Sequence, residues 1–407
     1  MKIGILTLSL KRGGAERVAS QVGTFLASRH DVYTILFDTA GKADYPAGGT
    51  LIDLKLPEPA GRKPLSRFLN TMLAVPRLRR LKRELKLDVL LSFLEPANIP
   101  NVLSGIDTCK TVLAITEDKS YTQINDLQRC ITDFLIRRLY GRADLILSAS
   151  KGAGRTLSEK YSISSEKIQT IYNPVDLDAI DAMANRKCEV CGKNEACQKM
   201  FTGPVVLSAG RLTLPKGHWH LIRAFRQVKN DVPNANLVIL GDGELNNYLI
   251  SLVNDLRLSD SVFFPGYQPD PFCYMKRASV FVLSSLWEGF GNVILESLAV
   301  GTPVIATDVH SGPREILAPK TDFRSITQNL EHAEFGLLVP PPDGRFYSAS
   351  DPLTFSERTI AKAVIKMLTD HAIAYDFSAR GRKRAEDFRT DILLAEYEAV
   401  LSDLLHR

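Results

Sequence analysis

No stretch of this 407-residue sequence is apolar for long enough to cross a membrane, because a helical span needs roughly 20 predominantly apolar residues. Long low-complexity tracts are also missing, and with 45% hydrophobic and 24% charged residues the composition is that of a soluble globular protein. The opening run, "MKIGILTLSLKRGGAE", has too short an apolar part for a signal peptide and reads as a first buried strand. The expected address is therefore the cytosol, where six cysteines do not make a disulfide framework. Cys188, Cys191 and Cys197 include a CxxC suited to structural zinc. No fourth ligand is close: the nearest histidines, His218 and His220, lie about 20 residues downstream. The cluster is read as a polar surface loop with free thiols.

Nucleotide-hydrolysis signatures are incomplete. "KGAGRTL" (151–157) lacks the lysine–serine end of a P-loop, and "VILGDGELNN" ends its strand in Gly-Asp-Gly without the third spaced glycine of a dinucleotide fingerprint. ATP hydrolysis is disfavoured, and the second motif reads as a tight turn before a helix. The net charge of +5 matters only where it is concentrated.

At this length two domains of roughly 200 residues each are expected. Strand-like runs ("KIGILTLSL", "DVYTILFD", "LIDLKL", "DVLLSFL", "TVLAIT", "DLILSAS") alternate with helical patterns such as "AERVASQVGTFLASR", where Val18, Val22, Phe25 and Leu26 share one face. This is the pattern of a parallel sheet wound with helices on both faces. It breaks at "IYNPVDLDAIDAM" and restarts with "PVVLSAG", "ANLVILG", "VFFPG", "SVFVLSS", "TPVIATDV" and "FGLLVPP". The expected architecture is two doubly wound α/β domains, 1–173 and 174–385, meeting at a cleft. The last segment, 386–407, is expected to be helical and to pack back on the first domain. Ligands of such sheets sit beyond the carboxyl ends of the strands, so the loops after the strands hold the candidate sites.

In "LSAGRLTLPKGHWH" a strand is followed by Arg211 and, five positions on, Lys216 ahead of a helix. Two cations beside the free amides of a strand-to-helix turn suit a diphosphate. In "SSLWEGFGNVILESLAVGTPVIATDV" (284–309) Glu288 and Glu296 bracket Gly289, Phe290 and Gly291. A helix starting near Asn292 turns its first amides toward Glu288 and places Glu296 one turn inside. From spacing alone the pair could be a hydrolase's acid and base, metal ligands, or the grip on one ligand carrying both hydroxyls and phosphates. The last use suits a carboxylate that accepts hydrogen bonds from a vicinal diol such as a ribose.

Taken together, "EGFGNVILE", "GTPVIATDV" followed by "SGPREIL" (311–317), the upstream "GRL…KG", the "LKRGGAERV" loop with Gly13 and Gly14, and the "NPVD" turn (173–176) closely resemble the family 4 glycosyltransferases of the GT-B fold. The sugar-polymer members acting on polyprenyl-linked acceptors look closest. The resemblance implies that Arg211 and Lys216 hold the donor diphosphate and neutralise the leaving nucleotide. It implies that Glu296 binds the ribose hydroxyls, and that Glu288, with the amides of Gly289, Phe290, Gly291 and Asn292, positions the transferred sugar. Backbone near Tyr267 would meet the base, and Gly13 and Gly14 would let the first loop approach the phosphates. Such enzymes retain anomeric configuration and need no divalent metal. The lone DxD, Asp176-Leu177-Asp178, falls in the "NPVD" turn and reads as a turn and helix cap. One departure stands out: where many relatives carry a histidine, this chain reads "LAITEDKSY", so either Asp118 replaces it or a different group contacts the sugar.

Residues 62–86 hold nine basic residues against one acid, Glu84. Pro76 suits a helix's first turn, with Leu78, Leu81, Leu85 and Val89 on one face and Arg77, Arg79, Arg80, Lys82, Arg83 and Lys86 on the rest. Two uses stand beside a plain solvated helix. One is docking on anionic lipid headgroups, at about 1 kcal/mol per basic residue near the surface; the other is gripping the diphosphate of a lipid-linked acceptor. Nucleic acid is not an expected partner, because aromatic residues are poorly interleaved. The expectation is a cytosolic-face, peripherally membrane-bound retaining glycosyltransferase that uses a UDP-sugar, with a UDP-sugar 2-epimerase of the same architecture as the alternative.

Overall fold

The computed structural model describes residues 1–11, 13–37, 43–56, 64–115, 126–186 and 195–406, with the backbone alone at 64–71, 126–129 and 195–197. Among these residues fourteen strands form two seven-stranded sheets. The chain divides into two units, Met1–Pro174 with Asp391–Arg407, and Val175–Thr390.

In the first unit the strands are β1 (Lys2–Thr7), β2 (Asp31–Leu36), β3 (Thr50–Asp53), β4 (Val89–Phe93), β5 (Lys110–Ile115), β6 (Leu145–Ser148) and β7 (Ile168–Thr170). They run parallel in the order β3-β2-β1-β4-β5-β6-β7. Strands such as β4 are apolar and buried along their whole length, because helices cover both faces of a parallel sheet. On one face Ile3, Ile5 and Val18 pack with Leu394, Tyr397 and Leu401 of the last helix, Thr390–His406. The other face carries the helices Pro64–Glu84, Glu95–Leu103, Asp126–Leu139 and Lys151–Tyr161.

The helix Pro64–Glu84 departs from the sequence reading in two ways. Pro76 lies in its interior rather than its first turn; the helix continues past a residue that can donate no amide hydrogen bond. Lys82, expected on the basic outer face, is 1% exposed and donates from Nζ to Oδ1 and to the backbone oxygen of Asn101, both at 3.0 Å. Asn101 in turn donates to Leu90 O and to Ser92 Oγ, each at 2.9 Å. The cation is thereby built into the packing between helix and sheet, and burial lowers its pKa to about 8.

The second unit contains β8 (Val205–Ala209), β9 (Asn236–Leu240), β10 (Val262–Gly266), β11 (Val280–Leu283), β12 (Val304–Thr307), β13 (Glu331–His332) and β14 (Leu337–Val339). Their order is β10-β9-β8-β11-β12-β14-β13, with β13 alone antiparallel among the described strands. The helices His218–Asp231 and Phe355–Thr369 share the core with Val206, Ile239 and Val282. Between those helices Glu357 accepts from Arg223 Nε at 2.8 Å and pairs with His220 Nδ1 at 2.9 Å, all three side chains being buried. The turn at "NPVD" is structural: Asp176 caps the helix Leu177–Ala184 by accepting from the Ala179 amide at 2.9 Å, and Asp178 pairs with Arg389 at 3.5 Å.

Candidate active site

The second sheet reverses its strand order between β8 and β11, so their following loops leave the sheet side by side at a topological switch point. Two hydrogen bonds hold those loops together, and a third ties the second loop to β12. Leu286 N donates to Pro215 O at 2.8 Å, Ser284 Oγ donates to Lys216 O at 3.0 Å, and Thr307 Oγ1 at the end of β12 donates to Ser285 O at 2.6 Å. Gly217 stands where the loops press closest. Its φ is +57°, and a Cβ there would lie 2.4 Å from Ser284 O; only glycine meets both conditions at low cost.

This arrangement brings Lys216 to Glu288. Nζ donates to Oε1 at 2.5 Å, and Ser285 Oγ donates to the same oxygen, also at 2.5 Å. Lys216 is 20% exposed and Glu288 9% exposed at the side chain. A part-buried pair of this kind is fixed in geometry more firmly than a surface ion pair. The stem of Lys216 runs over Gly210, where a Cβ would meet its Cδ and Cε at 3.3 Å. Arg211, also on the loop after β8, is exposed.

Beyond Glu288 the helix Asn292–Ala299 begins where the sequence pattern puts it, with Gly291 as its N-cap at φ +90°. Phe290 faces inward, 2% exposed and 5.8 Å centroid to centroid from Phe388, so its backbone rather than its ring faces the loop. Glu296 lies one turn inside the helix and is 6% exposed. The loop after β12 closes against this turn: Gly312 has φ +90°, and a Cβ there would sit 1.9 Å from Phe290 O. The "SGPREIL" segment that carries part of the family resemblance is thus a packing element. Its Arg314 is 4% exposed at the side chain and donates to Asp308 Oδ2 at 2.5 Å and to Glu331 Oε2 at 2.7 Å. Burial raises the Asp308 carboxyl above its usual range, against the opposing pull of Arg314.

At the carboxyl ends of β9 and β10, Tyr267 N donates to Asp242 Oδ2 at 3.1 Å, with the Tyr267 ring exposed. Arg211, Lys216, Glu288, Gly289, Phe290, Gly291, Asn292, Glu296 and Tyr267 therefore all lie in loops or helix starts at the carboxyl edge of one sheet. Gly13 and Gly14 belong to the first unit, at the start of the helix Gly14–Ala27. Gly13 has φ 173°, an extended conformation that any residue adopts. Asp118, Cys188 and Cys191 lie outside the described residues, as does the side chain of Cys197. Among the described residues no cluster of three or more potential metal ligands occurs, and no helix is long and apolar enough to cross a membrane.

Two participants escaped the sequence reading. Ser285 is the second partner of Glu288 and sits three residues before it, a local signal masked by the serine's ordinariness. His218, 2% exposed at the first turn after Lys216, has its pKa lowered to about 3 by burial and then by the Lys216 charge; a histidine at an apolar-patterned helix position was the available clue.

Residues 193–337 match the model of the glycosyl transferases group 1, and residues 12–179 that of glycosyltransferase family 4. The chain is 30% identical to the N-acetylgalactosamine-N,N'-diacetylbacillosaminyl-diphospho-undecaprenol 4-alpha-N-acetylgalactosaminyltransferase of Campylobacter jejuni, over 95% of each chain. It is also 30% identical to an uncharacterized glycosyltransferase of Methanocaldococcus jannaschii, over 80% of this chain and 82% of that one. Its fold matches the crystal structure of Anabaena HepE in complex with UDP-glucose, with a TM-score of 0.75 at 20% identity, covering 99% of this chain and 100% of that one.

Proposed function

The chain belongs to the family 4 glycosyltransferases, with the GT-B fold, and from that premise we propose that it moves a hexose or N-acetylhexosamine from a UDP-sugar to a glycan carried on a polyprenyl diphosphate. The observation that carries this reading is the Lys216–Glu288 pair at the switch point, beside the start of the helix Asn292–Ala299, whose dipole favours negative charge there. A cation and a carboxylate fixed to each other there match a ligand that presents phosphates on one side and hydroxyls on the other. The UDP-glucose carried by the Anabaena neighbour and the undecaprenyl acceptor named for the Campylobacter relative support the same assignment.

In this reading Arg211 and Lys216 neutralise the diphosphate as the bond to the sugar's anomeric carbon breaks, without a divalent metal. Glu296 accepts hydrogen bonds from the ribose hydroxyls. Glu288 and the amides from Gly289 to Asn292 hold the transferred sugar while its anomeric carbon gains positive charge, and the new bond forms with retained configuration. The backbone at Tyr267 meets the base. Asp118 takes the place of the family histidine. The enzyme works at the cytoplasmic face of the membrane, where Arg77, Arg79, Arg80, Arg83 and Lys86 meet anionic headgroups.

A panel of radiolabelled nucleotide-sugars offered with an undecaprenyl-diphosphate-linked glycan tests the proposal. The expected result is label in the lipid-extractable product from one UDP-sugar. No transfer from any donor overturns it, and epimerised UDP-N-acetylglucosamine formed without acceptor points to the 2-epimerase instead. The preferred donor should also raise thermal stability by mass action, by about 2.7 kcal/mol at a hundredfold excess over Kd.

A further inference from the structure

Ser284 and Ser285 follow β11 directly, and both are buried. Their hydroxyls serve opposite members of one ion pair. Ser284 Oγ donates to the backbone oxygen of Lys216 at 3.0 Å, whereas Ser285 Oγ donates to Oε1 of Glu288 at 2.5 Å. One serine therefore fixes the backbone from which the cation projects, and the other fixes the carboxylate itself. The serines are anchored in turn. Thr307 Oγ1, buried at the end of β12, donates to Ser285 O at 2.6 Å, and the Leu286 amide donates to Pro215 O at 2.8 Å.

The two partners of Glu288 differ in what they can do when an anion arrives. Lys216 Nζ also reaches Oε1, at 2.5 Å, but its ammonium has several protons to give and sits on a flexible stem that is 20% exposed. A diphosphate offers that ammonium more negative charge than one carboxylate does, and charged donors follow charge. Ser285 is neutral, gives a single proton and is shut off from solvent, so it has no such alternative. Both donors converge on Oε1, which leaves Oε2 of Glu288 without a partner among the described residues. With Lys216 as its sole partner, the carboxylate would turn freely once the ammonium left. The serine removes that freedom.

We propose that Ser285 is the positioning residue of Glu288: it holds Oε1 while Lys216 turns to the donor's diphosphate, and so keeps Oε2 directed at the hydroxyls of the transferred sugar. Ser284 does the corresponding work for Lys216 by setting where its backbone stands. Both serines act through their partners, and the assignment rests on the donor-site reading above. It divides that site between two adjacent hydroxyls, one governing diphosphate binding and the other the orientation of the sugar.

The test deletes each hydroxyl in the full-length enzyme and compares kcat with UDP affinity measured by calorimetry. Ser285→Ala is expected to lower kcat about 10- to 100-fold, the scale of one hydrogen bond to a charged group. Its UDP affinity should stay within about threefold of wild type, because the lost interaction serves the sugar in the transition state. Ser284→Ala is expected to weaken UDP binding about three- to tenfold, the scale of a neutral hydrogen bond, and to lower kcat with it. In a Glu288→Ala background, followed in single turnovers, Ser285→Ala should cost less than about twofold further, since the carboxylate it serves is gone. Wild-type kcat in Ser285→Ala overturns the assignment and leaves the donor-site reading intact. Parallel losses of UDP affinity and kcat in both serine variants also overturn it, because hydroxyls that merely support the fold would give that result. A Ser285→Ala loss as large in the Glu288→Ala background as in wild type does the same. A wild type that binds no UDP and transfers from no donor overturns the donor-site reading itself, and the assignment falls with it.

Discussion

Nζ of Lys216 lies 2.5 Å from Oε1 of Glu288, a residue 72 positions further along the chain. The contact exists because β8 and β11 are neighbours at the point where the strand order reverses. If the carboxylate positions the sugar in transit, its charge acts mainly in the transition state. Glu288→Gln is then expected to lower kcat by about 10²–10³, the usual scale for one electrostatic stabiliser. UDP affinity measured by calorimetry should change less than about tenfold. Lys216→Ala should weaken UDP binding and kcat together. Unchanged kcat in Glu288→Gln at saturating donor would remove this residue from the sugar site.

Gly217 is the joint between the two loops. Alanine there must adopt φ +57° and place its Cβ 2.4 Å from Ser284 O, so the loops have to separate. Backbone strain of this kind costs on the order of 1–3 kcal/mol. Gly217→Ala should lower the melting temperature and raise the donor KM, because Lys216 is the preceding residue. A variant with wild-type melting and KM would show that the loops are free to move apart.

The sheets were readable from sequence because parallel strands are buried on both faces and so appear as unbroken apolar runs; β4, "VLLSF", is one. The loops of the candidate site were readable as a cluster because glycine, charge and a helix start coincide in them. Lys82 was not, because in composition it is one more cation in a basic helix. Its position told more: it lies four residues after Leu78 and three before Leu85, on the apolar stripe itself. Its partner Asn101, 19 residues away, depends on how helices pack, which no local pattern contains. Arg314 was noticed for its motif, yet its role as a buried clamp depends on Glu331, 17 residues on.

His218 provides an acid-sensitivity test. Burial and the neighbouring Lys216 lower its pKa to about 3 from the ordinary 6.5, so the folded state holds it neutral. Its contribution is present above pH 6.5 and is lost as pH falls toward 3, because the unfolded chain takes up the proton first. His218→Phe should flatten the fall in melting temperature between pH 6.5 and 4 relative to wild type. Identical acid limbs would show that His218 is protonated freely in the folded protein.

Arg314 is the shared cation of Asp308 and Glu331, and Asp308 is 1% exposed at the side chain. Breaking a buried pair by removing one partner costs about 3–5 kcal/mol, since the other charge is left uncompensated. Arg314→Met should therefore lower the melting temperature by on the order of 10 °C. Adding Asp308→Asn should restore part of the loss, because the orphaned charge is then gone. Equal effects of the single and double variants would show that the loss comes from packing and not from charge.

Lys82 yields the complementary alkaline prediction. Its pKa in the folded protein is about 8, against an ordinary 10.5, because burial penalises the ammonium. Between those values the unfolded chain binds a proton that the folded chain has released, so stability from this group rises with pH. Below pH 8 both states carry the charge, and the folded state bears the full cost of burying it. Lys82→Met removes that cost but leaves Asn101 without its donor, so its effect at neutral pH is a difference of opposing terms. The pH dependence separates them: the melting temperature of Lys82→Met relative to wild type should fall as pH is raised from 8 to 10. The hydrogen-bond loss is common to all pH values and cannot produce such a slope. A constant offset across this range would mean that Lys82 keeps its proton in the fold, with Asn101 compensating the buried charge.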